Sequence, residues 1–291
     1  MVPLVVHWNM NPEIFRIGGF AVRWYGLLFV SGFILGYWIF TKFFEREKLD
    51  KAILDPLLYT LLFGTLVGAR LGHCLFYGFR YYFCTWEGFL EIFRVWEGGL
   101  ASHGGALMLL LCMWWFARKY GRKNHIDFVW ILDHLCIAVA FAAAFIRLGN
   151  LCNSEIYGIG TDLPWGFIFE RRGEVEPKHP TQIYESLTYL VLGLILVWLY
   201  VKKLDRMYRG SFIGIFFIGC FGMRFIIEYV KDYEPVLWNL HMGQVLSIPF
   251  ILLGIFFLVY AYVKKIPARA VIPDNRPRKA EPTHYAKSIK G

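Results

Sequence analysis

The segment MGQVLSIPFILLGIFFLVYAYV, residues 242–263, contains no Asp, Glu, Lys or Arg. Three other runs, 24–41, 98–117 and 186–201, are free of the same four residues. A helix needs about 20 mostly apolar residues to cross a hydrocarbon core about 30 Å thick. These runs therefore predict a protein that crosses a membrane several times.

The overall composition agrees with that prediction. The chain has 291 residues, of which 57% are hydrophobic and 19% aromatic, and its mean hydropathy is +0.45. Three more segments are largely apolar around a charge: 56–79 around Arg70, 128–150 around Asp133, and 211–230 around Arg224. We count seven helices and predict an all-α polytopic membrane protein. No basic segment followed by a long apolar core opens the chain, so no cleavable signal peptide is expected.

Lys and Arg residues are concentrated in alternate connections between the predicted helices. Cytoplasmic connections carry the excess of Lys and Arg in membrane proteins. The pattern predicts seven transmembrane helices with the N-terminus outside and the C-terminus in the cytoplasm. The net charge of +9 is then mainly a topology signal, and no nucleic-acid partner is expected. The basic groups are Lys42, Arg46, Lys48 and Lys51; Arg118, Lys119, Arg122 and Lys123; Lys202, Lys203, Arg206 and Arg209; and Lys264 and Lys265.

The predicted organisation is one membrane domain over residues 1–265 and a tail over 266–291. The outer connections, about 79–97 and 155–180, are long enough to form a small extracytoplasmic head, with LPWGFIFERRGE (163–174) as a short hairpin. The tail is Pro-rich, basic and poor in large apolar groups, which predicts a disordered cytoplasmic segment. Six cysteines show no metal-type spacing, so no metal is expected. Cys84 and Cys152 both fall at the outer face, and their pairing stays open.

Polar side chains are concentrated in FIRLGNLCNSEIYG, residues 145–158, directly after an apolar segment. At about 1.5 Å of rise per residue, Arg70 and Arg224 lie about 21 Å above the inner ends of their helices. Arg147 ends its helix near the outer interface. Three charges, each of which costs free energy to place within the membrane, therefore lie at one depth. We expect a shared site in the outer leaflet that also includes Tyr25, His103, Asn150, Glu155 and Glu228.

Structural interpretations of the same charges remain open. A single arginine near a helix end commonly reaches to the interface without binding a ligand. Arg224 and Glu228 are one turn apart and are the obvious candidates for a structural ion pair. Asp133 and His134 lie in the inner half of their helix, where we interpret them as helix-packing groups.

The arginines predict an anionic ligand. Guanidinium groups bind phosphate through bidentate contacts, so a cationic cavity open to lipid favours an anionic phospholipid head. Glycines beside His103 and around the polar cluster permit close approach of backbone to a ligand, although close helix packing is the alternative and is expected for Gly64 and Gly68. For His179, Gln182 and Glu185, substrate contact and a polar helix start both stay open. The glycines in question are Gly98, Gly99, Gly104, Gly105, Gly149 and Gly158.

Seven motifs, in order along the chain, carry a resemblance to a known family. They are RWYGL (23–27), GARLGH (68–73), RVWEGGLASHGG (94–105), IRLGNLCNSEIYG (146–158), HPTQIYE (179–185), MRFIIEYVKD (223–232) and HMGQVLSIP (241–249). The chain resembles the bacterial phosphatidylglycerol–prolipoprotein diacylglyceryl transferases. Small departures are Ala69 and Ile146 where the family often has Gly, and Glu97 where it often has Asp.

The resemblance implies an enzyme of the bacterial cytoplasmic (inner) membrane whose active site faces the outer leaflet. It implies transfer of diacylglyceryl from phosphatidylglycerol, the donor, to the lipobox cysteine of a prolipoprotein, the acceptor, with no cofactor. A thioether forms and glycerol phosphate leaves. The implied catalytic residues are His103, Arg147, Arg224 and Tyr25. The expected substrate-binding residues are Arg147, Asn150, Glu155, Gly158, Arg224, Glu228 and, from its depth, Arg70.

Two other functions are disfavoured by the sequence. A transporter of anionic lipid or phosphate, the main alternative, is expected to show repeats or broken helices near the midplane. No repeat is evident, and the charges lie in one leaflet. A rhomboid-like protease needs an activated serine, but Ser102 and His103 are adjacent on a helix and point apart.

Overall fold

The computed structural model describes residues 5–94, 99, 101–231 and 240–270. Within them the chain is mostly helical, with four short strands. The helices are α1 (Trp24–Glu47), α2 (Leu54–Tyr77), α3 (Phe79–Cys84), α4 (Trp86–Glu91), α5 (Ser102–Phe116), α6 (Arg122–Asn124), α7 (Phe128–Cys152), α8 (Thr181–Lys203), α9 (Ser211–Ile227) and α10 (Met242–Lys264). The strands are β1 (Val6–Trp8), β2 (Glu13–Ile17), β3 (Phe20–Arg23) and β4 (Phe167–Phe169).

Six helical segments in the described part of the chain are long and apolar enough to cross a membrane. They contain α1, α2, α7, α8, α9 and α10, so the prediction of a polytopic helical membrane protein is confirmed. The remaining predicted span falls on α5, which has 15 residues. Its helical course continues through a π-helical turn, Ala117–Gly121, into α6. Residues 95–98 and 100, just before α5, lie outside the described residues.

The long helices pack in a fixed set of pairs. α1 lies along α7, α2 along α5, and α9 along α10, while α8 packs on both α7 and α9. A methyl group built on Gly72 of α2 would lie 2.7 Å from Cα of Gly104 of α5, and one on Gly68 would lie 2.6 Å from the Gly104 carbonyl oxygen. Close helix packing therefore explains Gly104 beside His103.

A buried polar cluster joins the C-terminal ends of α1 and α8 to the N-terminal ends of α7 and α9, at the end of the bundle that the sequence predicts to be the inner one. The Asp133 carboxylate accepts hydrogen bonds from the backbone N–H groups of Gly210 (2.6 Å) and Ile213 (2.9 Å), and so caps α9. His134 Nε2 lies 2.6 Å from Glu47 Oε1, which also accepts from the Tyr200 hydroxyl at 2.9 Å. The interpretation of Asp133 and His134 as helix-packing groups is confirmed.

The chain after α10 packs back onto this inner end. Ala268 is wholly buried, and its N–H donates to the Met207 carbonyl at 2.9 Å. The Ala270 N–H donates to Glu47 Oε2 at 2.6 Å. The predicted boundary at 265 is therefore too early, because packed structure extends through Ala270. Residues 271–291 lie outside the described residues, and their disorder stays a prediction.

Short strands and helices form the predicted head. β1 pairs in parallel with β4, and β2 pairs antiparallel with β3. The predicted hairpin within 163–174 is wrong, since β4 pairs with the N-terminal strand and Phe167 exchanges backbone hydrogen bonds with Lys178. Helices α3 and α4 occupy the other outer connection. Cys84 and Cys152 are both free thiols.

We predict that Asp133→Ala destabilises the protein. The substitution leaves two buried N–H groups of α9 without their acceptor, and one such group costs about 1–3 kcal/mol of unfolding free energy. Thermal unfolding in detergent measures the effect. Asp205→Ala is the control, because this aspartate is exposed and its ion pair with Arg269 is a surface contact. Equal unfolding midpoints for the two variants would contradict the capping role.

Candidate functional site

A chain of alternating charges joins the C-terminal ends of α7 and α9 to the N-terminal end of α8, at the end of the bundle that the sequence predicts to be the outer one. Arg147 Nε lies 2.9 Å from Glu185 Oε2, and Lys231 Nζ lies 2.8 Å from Glu185 Oε1. Lys231 also lies 3.6 Å from Glu228. The Glu185 side chain is wholly buried, and those of Lys231 and Glu228 are 3% exposed. Burial makes these pairs interdependent, because a buried charge that loses its partner is costly.

Asn150 connects this charge chain to Glu155. Its Oδ1 accepts a hydrogen bond from Arg147 Nη1 at 3.2 Å, and its Nδ2 donates to Glu155 Oε1 at 2.8 Å. Tyr25 lies close enough to Arg147 and Glu155 for both charges to act on its hydroxyl. The structure thus brings four of the predicted site residues together. Two edges of the Arg147 guanidinium have partners, since Nε forms an ion pair with Glu185 and Nη1 donates a hydrogen bond to Asn150.

The backbone around Glu155 is strained. Ser154 (φ 52°) and Ile156 (φ 62°) both adopt left-handed conformations, which are uncommon for any residue other than glycine and most unfavourable for a β-branched one. The start of α8 holds the segment: Thr181 Oγ1 donates to the Ile156 carbonyl and Gln182 Nε2 to the Glu155 carbonyl, each at 2.8 Å. Such strain persists where the surroundings over-determine the conformation, commonly at functional sites.

Two glycines are required here by close packing. A methyl group on Gly149 would lie 2.7 Å from the Tyr25 ring, so the tyrosine lies directly on α7. One on Gly158 would lie 2.2 Å from the Val230 carbonyl oxygen. Gly158 also donates its N–H to the His179 carbonyl at 2.9 Å. At Gly158 the backbone therefore approaches the segment that carries Lys231. The lack of a side chain at Gly158 thus allows Lys231 to take its place in the charge chain.

Arg224 lies beside the same network but is not tied into it. Arg147 and Arg224 both lie near enough to Tyr189 and Cys220 for their charges to act on these two side chains. The candidate ion pair between Arg224 and Glu228 is not formed, and Glu228 lies 3.6 Å from Lys231 instead. The Arg224 side chain is half-buried and makes no hydrogen bond or ion pair with any residue in the described ranges.

Arg70 makes contacts that the sequence did not predict. Its side chain is buried and donates to the carbonyls of Ile92 (2.9 Å), Gly99 (3.2 Å) and Glu91. The guanidinium therefore anchors the connection between α2 and α5. Its expected role as a substrate-binding residue stays a prediction.

His103 lies on α5, which packs mainly on α2. Its ring is exposed, and no hydrogen bond or ion pair between described residues links it to Arg147, Glu185 or Lys231. At the start of α8, His179 stacks edge-on with Tyr184, and its Nδ1 lies 3.1 Å from the tyrosine hydroxyl. Burial lowers the pKa of His179, so this imidazole stays neutral near pH 7.

Sequence reasoning missed Lys231 and left Glu185 undecided. Lys231 falls in the connection between the last two predicted helices, and it follows Glu228 by three residues, a spacing that permits an ion pair. Glu185 lies near the polar start of its helix, and only the folded structure shows that Arg147 and Lys231 both contact it. In total, three cations (Arg147, Arg224, Lys231) accompany three carboxylates (Glu155, Glu185, Glu228) in this region.

Comparisons with known proteins agree over nearly the whole chain. A sequence model of the family described as prolipoprotein diacylglyceryl transferase matches residues 12–260. Proteins named phosphatidylglycerol–prolipoprotein diacylglyceryl transferase are similar throughout. That of Porphyromonas gingivalis is 44% identical over 278 residues, covering 89% of this chain and 96% of the relative. That of Bacteroides fragilis is 40% identical over 274 residues, covering 90% and 97%. That of Tolumonas auensis is 40% identical over 266 residues, covering 90% and 99%.

The residues of the charge chain, Arg147, Glu185, Glu228 and Lys231, all lie inside the range that the family model matches. The match is far longer than any single motif, and it spans the six membrane-crossing segments. This chain, a transferase, belongs to the prolipoprotein diacylglyceryl transferase family.

Proposed function

We propose that the protein transfers the diacylglyceryl group of phosphatidylglycerol to the lipobox cysteine of prolipoproteins. The cysteine sulfur attacks the sn-3 carbon of the lipid glycerol, and a carbon–sulfur bond forms as the carbon–oxygen bond to phosphate breaks. Glycerol phosphate leaves with the electron pair. The thiol proton passes to a base and finally balances the charge of the released phosphate monoester.

The site assignment rests on two neighbouring arginines whose contacts differ. Arg147 is oriented by Glu185 and Asn150, while Arg224 has no partner in the described part of the chain. A phosphate diester gains negative charge as it becomes a monoester. Donors that are oriented before the reaction stabilise that developing charge best. We assign both arginines to the departing phosphate, and Tyr25, Asn150, Glu155 and Glu228 to positioning the head.

A base is needed for the acceptor thiol. Thiolate is the nucleophile, and a free cysteine has a pKa of about 8.5. We propose His103 as this base, because histidine is the side chain that most often transfers protons in catalysis and the exposed ring can receive a substrate. The chain's own residues then supply proton removal, orientation and charge stabilisation, without a cofactor.

We further propose seven membrane spans, with α5 and its π-helical turn as the third. The charged network then lies towards the outer leaflet of the bacterial cytoplasmic membrane, and the C-terminus lies in the cytoplasm. This orientation is supported by the Lys and Arg residues of the connections, which follow α1, α5, α8 and α10. Contacts between helix ends support the same orientation, because these basic connections meet at the end of the bundle that holds Asp133 and Glu47.

A reconstituted assay tests the function. Purified protein in vesicles receives a lipobox peptide and either phosphatidylglycerol or phosphatidylethanolamine, and mass spectrometry follows the diacylglyceryl addition to cysteine. We predict a marked preference for phosphatidylglycerol, because Arg224, which has no partner among the described residues, favours an anionic head over one with an ammonium group. Addition to a peptide whose cysteine is replaced by serine, or equal use of both lipids, would contradict the proposal.

We predict different kinetic defects for Arg147→Ala and Asn150→Ala. Removal of a preorganised charge-stabilising donor costs on the order of 10²–10³ in rate, so Arg147→Ala is expected to lower maximal turnover by that factor. Asn150→Ala is expected mainly to raise the lipid concentration required. A lipid titration at fixed peptide separates the two effects.

The control for these variants is Arg171→Ala, which removes an exposed arginine of the head. Unfolding in detergent is followed in parallel. Arg147→Ala is expected to keep its fold, because Lys231 still compensates Glu185. If Arg147→Ala changes only the lipid requirement, or unfolds the protein, its assignment to charge stabilisation is wrong.

We predict that Arg224→Lys loses activity without losing stability. Lysine keeps the charge but not the two-pronged donor geometry of guanidinium. Loss of one charge-assisted hydrogen bond, worth about 1.5–3 kcal/mol, corresponds to a fall of roughly 10- to 100-fold in kcat/KM. Arg171→Lys provides the matched control. Near-normal turnover of Arg224→Lys would show that its charge alone suffices, and would remove the bidentate contact from the mechanism.

A further inference from the structure

A separate cleft of about 730 Å³ lies at the other end of the helices from the charged network. It is bounded by the end of α5, the π-helical turn and the start of α7, with Arg209 and Ile266 from the connections that follow α8 and α10. The Arg209 guanidinium binds Asp127 and the carbonyls of His125 and Pro267. None of these residues belongs to the transferase site.

The charge balance of the cleft favours an anion. Asp127 is neutralised by Arg209 and also caps α7 through the Trp130 N–H, at 2.8 Å. Arg118 lines the same cleft and is exposed. Among the described residues it makes no hydrogen bond or ion pair, and its guanidinium carbon lies 4.6 Å from the centroid of the Trp114 ring. One arginine charge of the cleft thus has no counter-ion in the described part of the chain.

The local geometry suits a ligand with an apolar part. The π-helical turn Ala117–Gly121 places Ala117, Arg118 and Gly121 on the cleft wall, and such turns occur frequently at functional sites. The apolar side chains of Ile126, Phe128 and Ile266 also line the cleft. Arg118 stacked on Trp114 places a cation and an aromatic ring together at the end of a membrane helix, where headgroups lie.

From this arrangement we infer that the cleft binds the phosphate group of an anionic phospholipid. Arg118 contacts the phosphate, and the acyl chains lie against Trp114 and Phe128. A soluble phosphate lacks the apolar part that these walls match. On the membrane orientation proposed above, the lipid belongs to the inner leaflet, so the site is distinct from the one that handles the donor lipid.

Photocrosslinking tests this site directly. The full-length protein, with benzoylphenylalanine in place of Phe128, is reconstituted into vesicles of equal parts phosphatidylserine and phosphatidylcholine. Crosslinked lipid is identified by mass spectrometry. We expect phosphatidylserine to predominate. The further substitution Arg118→Gln is expected to reduce the preference for phosphatidylserine about fivefold, because one basic residue near the membrane surface strengthens the binding of an anionic lipid by about that factor.

Arg206→Gln is the matched control, because Arg206 is an exposed arginine of another basic connection and does not line the cleft. It is expected to leave the preference unchanged. Equal crosslinking of both lipids, or an equal effect of the two arginine variants, would overturn the inference. Loss of the preference on addition of inorganic phosphate would also overturn it, in favour of a soluble-anion site.

The readout does not use transferase activity. Inactive protein that keeps its lipid preference at Phe128 would contradict only the proposed function. Active protein without that preference would contradict only the lipid site. The two proposals therefore fail separately.

Discussion

The structure of the outer end depends on the buried carboxylate of Glu185. It lies between Arg147 of α7 and Lys231 after α9, at 2.9 Å and 2.8 Å. A wholly buried carboxylate is tolerated only when cations and hydrogen bonds compensate it. Its two oxygens therefore hold two different segments to the start of α8. This constraint fixes where the end of α7, and with it the polar segment up to Glu155, lies relative to the other helices.

The two ends of the bundle use buried charge differently. At the inner end, Asp133 and Glu47 accept hydrogen bonds from backbone and side-chain donors and join four helices. These acceptors are committed to packing. At the outer end the charges are also paired, but Arg224 has no partner among the described residues. The inner end thus stabilises the fold, while the outer end keeps a cation available for a ligand.

Hydropathy alone locates the six helical segments that are long and apolar enough to cross a membrane, and helical rise indicates which charges share a depth. The sequence does not predict which of several nearby groups pair. Glu228 has Arg224 one turn before it and Lys231 three residues after it, and only the path of the chain beyond α9 selects Lys231. Arg70 has the predicted depth, yet the neighbouring connection supplies carbonyls for it. Ala268 and Ala270 look like part of a polar tail, but the inner-end packing buries them.

Glu185 contacts both Arg147 and Lys231, and this explains how Arg147 can be oriented by the protein and still be available to a ligand. Its Nε is held by Glu185 and its Nη1 by Asn150, whereas Nη2 has no partner within the described chain. Because Lys231 already compensates Glu185, Arg147 does not have to neutralise that carboxylate alone. A donor held on two edges needs little reorganisation when negative charge develops on a phosphate, which is the condition under which such stabilisation is most effective.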